Sequence, residues 1–439
     1  MKEQNEYSQD NNPVSVNALN YFELFTMSYY APFMRDTIEM LNIFVHDILN
    51  GSNNEFIQTL EQRFQSSIKM KDLVLQFGKE LFGSARWENE TVIAENEFFA
   101  LHYIPHQGEK QIAAVFMAGG YIPYSDSLFR FSSQRNFYSP FLKNGISVYE
   151  MKMKAPAYEN NSLIKLSPDI NISIIHEWAD LAFRHNKNKK MILMGYCGTA
   201  IMAMGAYIAD IEKMSRIFPV IATFAFPLDA KKCVAFSRII ELVSQEIENK
   251  AQEFYSGEQL SEFIYLSLER SHEKTDTGYF MLGWKNKDYY NVKTLDDLNE
   301  RQKIELGMLY WLSAENSART PISKELVDFM YQYFTEGVGK DGFLPFSYKG
   351  KPLDLKTLNN QDIQAFFFHG DIDNIVPPEA AFILDEILNK EKFARFIHKN
   401  TDHISYIFNM KRWEKNNEKG FEPNPLEVML NAFNPYERY

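Results

Sequence analysis

Strands that alternate with helices along most of the chain predict an α/β fold built on a mainly parallel sheet. Three observations carry this. Short apolar runs recur at Ile112–Met117, Gly145–Tyr149, Ile217–Phe226, Ala365–His369 and Phe393–Ile397, with helical or loop segments between them. The stretch Lys190–Ala203 begins as an apolar strand, turns sharply at Gly195–Gly198 and continues as a small-residue, helix-prone segment. From about Ala230 to Leu309 the pattern gives way to charge-rich helical segments, and afterwards it resumes.

The elements follow in order. Residues 1–16 are polar and read as a disordered tail. Residues 17–90 read as a helical N-terminal region, with an amphipathic stretch over Asn17–Asn50 that Pro32 should interrupt and a second over Phe56–Phe82. A β-hairpin is expected at Thr91–Ala94 and Phe98–Tyr103. The core is then expected over 91–229 and 310–439, with 230–309 as an inserted cap. Ile170–His185 should be a helix facing the sheet through Trp178, Leu181 and Ala182. Later helices are expected at Ser323–Gly337, Pro378–Lys390 and Leu426–Phe433.

With 439 residues the chain can bury a large core. Its net charge of -12 argues against a nucleic-acid partner, which selects for a basic face. Cys197 and Cys233 are its two cysteines, too few for a disulfide framework, so a reducing cytoplasm is the expected location. Met1–Val14 is polar with no apolar h-region, so no secretory signal is expected. Its longest charge-free apolar part is too short for the ~20 residues of a membrane span.

The chemistry gathers around Cys197. A nucleophile elbow holds a side chain on a tight strand-to-helix turn with main-chain N–H groups beside it. Asp373 follows the apolar strand Phe366–His369 in the loop Gly370-Asp371-Ile372-Asp373, and His403 lies in the loop after the next strand. Nucleophile, acid and histidine thus occur in the order of the α/β-hydrolase fold. A thiol has an ordinary pKa of roughly 8.5, so an imidazole must take its proton near neutral pH. A carboxylate on the other ring nitrogen fixes the imidazole tautomer. The oxyanion needs preorganised N–H donors, here Gly198 and, from the Ala118–Tyr121 turn, Gly120. Each residue has a structural alternative: Cys197 as core packing, Asp373 as a helix cap, and Asp371 as the acid in its place. No His/Cys pair has metal-ligand spacing and no Gly-rich phosphate motif occurs, so no metal or cofactor is expected.

Four ordered patches resemble the polyhydroxyalkanoate (PHA) synthase family. Gly195-Tyr196-Cys197-Gly198-Thr199 is similar to its Gly-x-Cys-x-Gly-Gly box. Leu309-Tyr310-Trp311 with Thr320-Pro321, Gly350–Leu355 with Asp373–Pro377, and Arg395-Phe396 leading to Asp402-His403-Ile404 resemble further segments. Phe226–Asp229 looks like that family's entry into the cap. Thr199 and Ala200 stand where the family keeps two glycines, Asp402 where it keeps one, and Glu150 where it has the Asp of an Asp-Trp pair.

The resemblance implies an acyltransferase that polymerises (R)-3-hydroxyacyl-CoA with release of CoA. Cys197 would accept the acyl group, His403 would be the base and Asp373 its partner, with Trp311 an aromatic nearby. It also implies a polyester product, a homodimer or second synthase subunit, and a place at the surface of polymer granules. Two other readings stay open. One is a Cys-dependent hydrolase, either an intracellular PHA depolymerase or a thioesterase. The other is a non-catalytic relative that binds granules through its N-terminal helices.

Overall fold

The computed structural model describes residues 31–51, 54–122, 125–154, 162–251, 253–255, 283–284, 287–311, 313, 316, 321–414 and 417–437. The expected tail over 1–16, the start of the N-terminal helical region and cap residues 256–282 lie outside the described residues. The chain divides into two compact units, Met1–Phe77 with Ile264–Lys303, and Gly78–Phe263 with Ile304–Tyr439.

The first unit contains helix α1 (Ala31–Leu49) and most of α2 (Asn54–Leu81). Pro32 occupies the first turn of α1, where its missing N–H costs nothing. Asp47 is buried and accepts the Phe56 N–H at 2.9 Å, and Arg63 reaches Glu39 at 3.1 Å. Ile38, Leu41, Val45 and Ile48 of α1 face solvent.

The second unit is organised by an eight-stranded sheet. Its strands are β1 (Thr91–Glu95), β2 (Phe99–Ile104), β3 (Ala113–Met117), β4 (Ile146–Met153), β5 (Ile192–Tyr196) and β6 (Val220–Phe224). After two minor strand pairs come β11 (Gln364–Gly370) and β12 (Phe393–His398). The minor pairs are β7 (Phe254–Tyr255) with β8 (Ile322–Ser323), and β9 (Phe343–Tyr348) with β10 (Lys351–Asp354). Spatial order is β1-β2-β4-β3-β5-β6-β11-β12. β2 runs antiparallel to β1 and β4, and every later pair is parallel. The Thr91–Tyr103 hairpin is therefore the antiparallel edge, and the inner strands β3, β5 and β6 are buried along their whole length because both faces are covered, whereas the other edge strand, β12, is half-buried. This order, with a strand-to-helix elbow after β5, is the α/β-hydrolase fold.

Helix α3 (Pro168–His185) starts at Ser167, whose hydroxyl accepts the Ile170 N–H, and buries Trp178 and Ala182 on the sheet. Helix α4 (Gly198–Ala209) follows the elbow and is buried along nearly its whole length, which its Gly, Ala and Met composition permits. Helix α5 (Val234–Lys250) packs against α6 (Lys324–Glu336), itself capped by the Ser323 hydroxyl on the Leu326 N–H. The expected helix over Pro378–Lys390 is instead a 3-10 turn at Pro378–Ala381 and a single helical turn at Leu384–Ile387. Main-chain bonds of i to i+3 type, such as Asp385 N to Phe382 O, tighten the segment. Gly350–Leu355, read with the acid loop, is the β9–β10 hairpin and the start of the turn after it. Helix α7 (Pro425–Glu437) closes the chain against the sheet.

One polar network crosses this apolar interior. Arg130 donates to Glu150 on β4 and to Glu90 at 2.7 Å, and Glu90 also meets His102 Nδ1 at 2.7 Å. Tyr138 completes it with a 3.0 Å bond to Glu150. Glu150 is thus the buried counter-ion of Arg130. Burial alone would raise the Glu90 pKa, but the His102 hydrogen bond and the Arg130 charge hold it down to about 2.

Candidate active site

β5 ends at Tyr196 and α4 begins at Gly198, so Cys197 alone makes the turn. Its φ of 48° and ψ of −121° lie where a side chain is strained, and the surrounding contacts hold it there. The Cys197 N–H is bonded to Phe224 O at 2.9 Å, which fixes the elbow to β6. Gly195 is required by close approach: a Cβ there would lie 2.5 Å from Ala200 Cα and 2.9 Å from Ala200 N. Thr199 closes the turn with its hydroxyl, which accepts the Tyr196 N–H at 2.8 Å and donates to Tyr196 O at 3.0 Å. A threonine where the resembling family keeps glycine is therefore built into this elbow.

Cys197 is partly exposed, whereas Cys233 is fully buried. Burial pushes the Cys233 thiol up, with the neighbouring Cys197, Asp373 and Asp229 adding to the effect.

Asp373 and His403 come together from the loops after β11 and β12. His403 Nδ1 lies 2.8 Å from Asp373 Oδ2, and the Asp373 side chain is 1% exposed against 15% for His403. The other carboxylate oxygen accepts the Ile375 and Val376 N–H groups at 2.9 and 2.8 Å, so the acid is fixed by its own loop. Burial favours the neutral imidazole, yet the Asp373 carboxylate and then Cys197, by charge and by hydrogen bonding, hold the His403 pKa well above its ordinary value. Asp371 serves the backbone instead, accepting the Thr401 N–H at 3.1 Å. Asp402 caps the following turn through Ile404 N and the Ser405 hydroxyl. Arg412 binds the carbonyls of Lys399 and Asn400 and the Thr401 hydroxyl, which clamps the histidine loop.

The Ala118–Tyr121 turn faces the elbow. A Cβ on Gly198 would lie 3.0 Å from Tyr121 O. As the first residue of α4, Gly198 has no intrahelical acceptor for its N–H. Neither its N–H nor that of Gly120 has a hydrogen-bond partner among the described residues. Gly120 is enclosed by Met202, the Thr199 backbone and the buried amide of Asn171, whose Oδ1 is unpaired.

Cys197 opens on a cavity of about 60 Å³. Its wall includes Ile201 and Met202 of α4, Phe329, Met330 and Phe334 of α6, and Val376 of the acid loop. Among the described residues, no charged side chain lines it. Trp311 ends its own helix, Glu300–Trp311, and is not among the described residues that line the cavity.

Two site features escape the sequence. Tyr196, directly before Cys197, donates its hydroxyl to the main-chain oxygen of His403. α6, which reads as a resumed core helix, supplies much of the cavity wall. Among the described residues, His46, Asp47 and Glu55 form a group with ligand atoms close enough to share a cation, far from any cysteine in sequence.

No protein-family model matches the chain, and no curated protein matches it in sequence. Solved structures do match. A malate-bound thermophilic esterase from Thermogutta terrifontis is 14% identical, covering 75% of this chain and 95% of its own, at a TM-score of 0.39. A Bacillus megaterium epoxide hydrolase in complex with an inhibitor is 12% identical over 78% and 99%, at 0.40. A Paleococcus ferrophilus monoacylglycerol lipase is 11% identical over 76% and 99%, at 0.42. The fold assignment itself rests on the strand order and the elbow.

Proposed function

We propose that this chain is an enzyme of covalent acyl transfer that takes an acyl thioester onto Cys197, with His403 and Asp373 as its partners. The observation that carries the reading is geometric: Cys197 sits on the strand-to-helix turn, and His403, held at 2.8 Å by the buried Asp373, also hydrogen-bonds Cys197. An imidazole so placed can take the proton of the thiol and generate the nucleophilic thiolate. The resemblance of the ordered patches makes (R)-3-hydroxyacyl-CoA the substrate and a polyhydroxyalkanoate the product.

The steps balance with these groups alone. The Cys197 thiolate attacks the thioester carbonyl, and the oxyanion formed is met by the Gly198 and Gly120 N–H groups. The intermediate collapses by expelling the CoA thiolate, which takes the His403 proton and leaves as CoA. Neutral His403 then takes the proton of a second substrate's 3-hydroxyl. That oxygen attacks the acyl carbonyl, forms the ester and releases the Cys197 thiolate. Asp373 keeps the His403 proton on Nδ1 and Nε2 directed at the reacting atoms. A thioester acyl-enzyme stays activated for this second step. The apolar, charge-free cavity supports the exclusion of water that polymerisation needs.

A Cys-dependent hydrolase uses the same first step and admits water at the second. Incubation with 3-hydroxybutyryl-CoA separates the two. The proposal predicts CoA release together with insoluble polymer. CoA release with free acid alone identifies a thioesterase. No CoA release, with Cys197 inert to a thiol-alkylating agent, rejects both.

A further inference from the structure

We propose that Tyr196 is a positioning residue, a strut that sets the alignment of Cys197 with His403. The proposal rests on the reading that these two side chains form the reacting pair. Tyr196 is joined covalently to Cys197, and its hydroxyl donates to the main-chain oxygen of His403, 207 residues away in sequence.

Both ends of the strut are fixed. At the elbow, Thr199 bonds the N–H and the carbonyl of Tyr196, so its backbone cannot swing. The ring is buried and stacks on Phe224 at 6.1 Å and 13°. Phe137 meets it edge-on at 5.5 Å and 90°, and Phe129 lies at 5.5 Å. It also meets the His403 imidazole edge-on, at 6.0 Å and 87°. Burial, and then the nearby Asp373 charge, hold the phenol pKa well above its ordinary value, so the group remains an O–H donor.

The imidazole is thereby held at two points. Asp373 fixes its Nδ1, which sets ring rotation. Tyr196 fixes the main chain that carries it, which sets its distance from Cys197. Removing the Tyr196 hydroxyl leaves the tautomer and the Arg412 clamp intact and releases the one tie at the His403 carbonyl itself. A misplacement of about 1 Å can cost about a hundredfold in rate.

The test compares Tyr196→Phe with Tyr207→Phe. Tyr207 is also buried and donates to a main-chain oxygen, Phe218 O at 2.9 Å, but at the far end of α4. Cys197 alkylation by iodoacetamide is followed from pH 5 to 9 on the full chain, and acyl-enzyme formation from 3-hydroxybutyryl-CoA is followed by quenched mass spectrometry. Tyr196→Phe is expected to slow acylation about ten- to a hundredfold with little change in KM. Its alkylation profile is expected to move toward that of an ordinary thiol, while Tyr207→Phe moves neither readout. An unchanged profile and rate in Tyr196→Phe, with wild-type Cys197 reacting as an ion-paired thiolate, overturns the strut alone. A wild-type profile of an ordinary thiol overturns the reacting pair and the strut with it. Equal effects of the two substitutions on the profile reduce Tyr196 to a structural role and also overturn it.

Discussion

Thr199→Val tests whether the elbow depends on a hydroxyl rather than on glycine freedom. The substitution keeps the shape and removes the oxygen. In the native turn that oxygen accepts from Tyr196 N at 2.8 Å and donates to Tyr196 O at 3.0 Å, in a site that is 1% exposed. Two buried main-chain groups then lose their partner. A buried group left unsatisfied costs about 1–3 kcal/mol, and a carbonyl is the more tolerant of the two. A loss of about 2–4 kcal/mol follows, with Cys197 no longer held at its strained backbone angles. Thr199→Ser keeps the oxygen and should lose less than about 1 kcal/mol. Urea unfolding of the three proteins gives the stabilities, and acyl-enzyme yield gives the function. If Thr199→Val unfolds within about 0.5 kcal/mol of wild type and acylates at full rate, the hydroxyl does not hold the elbow.

Other expectations follow from single contacts. Gly195→Ala places a Cβ 2.5 Å from Ala200 Cα, so backbone must move, and loss of soluble expression or of all acylation is expected; normal activity would contradict the close approach. Glu90 has a folded-state pKa of about 2 against an ordinary 4.5. Its contribution is full above pH 4.5 and is lost as the pH falls toward 2, so Glu90→Gln should flatten the acid limb of a stability-against-pH curve. An unchanged limb would remove Glu90 from the network. The wall beside Cys197 is made of apolar side chains, so acylation should show an upper limit of acyl-chain length set by that wall. Met330→Ala should move that limit to longer chains, and equal rates from four to twelve carbons would assign the acyl group elsewhere.

The strand pattern and the elbow were legible because they are local. Apolar runs of strand length, a Gly two residues before Cys197 and small residues after it report the turn within a dozen positions. The order of Asp373 and His403 was legible for a related reason: each ends a strand of the same sheet, and the fold sets where those ends lie. The interactions that complete the site were not legible. The Tyr196 hydroxyl reaches a carbonyl on a distant loop, and any tyrosine on a buried strand looks like core. Arg130 meets Glu90 and Glu150 across 40 and 20 positions, a pairing no periodicity encodes. α6 lines the cavity because it packs on α5, and its amphipathic pattern is the same as that of a helix covering a sheet. Thr199 reads as a departure from a glycine motif, and only the two bonds of its hydroxyl show what it does.

The most direct measurement is the mass of the acyl-enzyme. The full chain is mixed with 3-hydroxybutyryl-CoA, quenched in acid within seconds, digested and mapped. The account predicts one 3-hydroxybutyryl group on Cys197, none on the buried Cys233, and no adduct in Cys197→Ala or His403→Ala. CoA release that persists in Cys197→Ala, or an acyl group carried on any other residue, would contradict it.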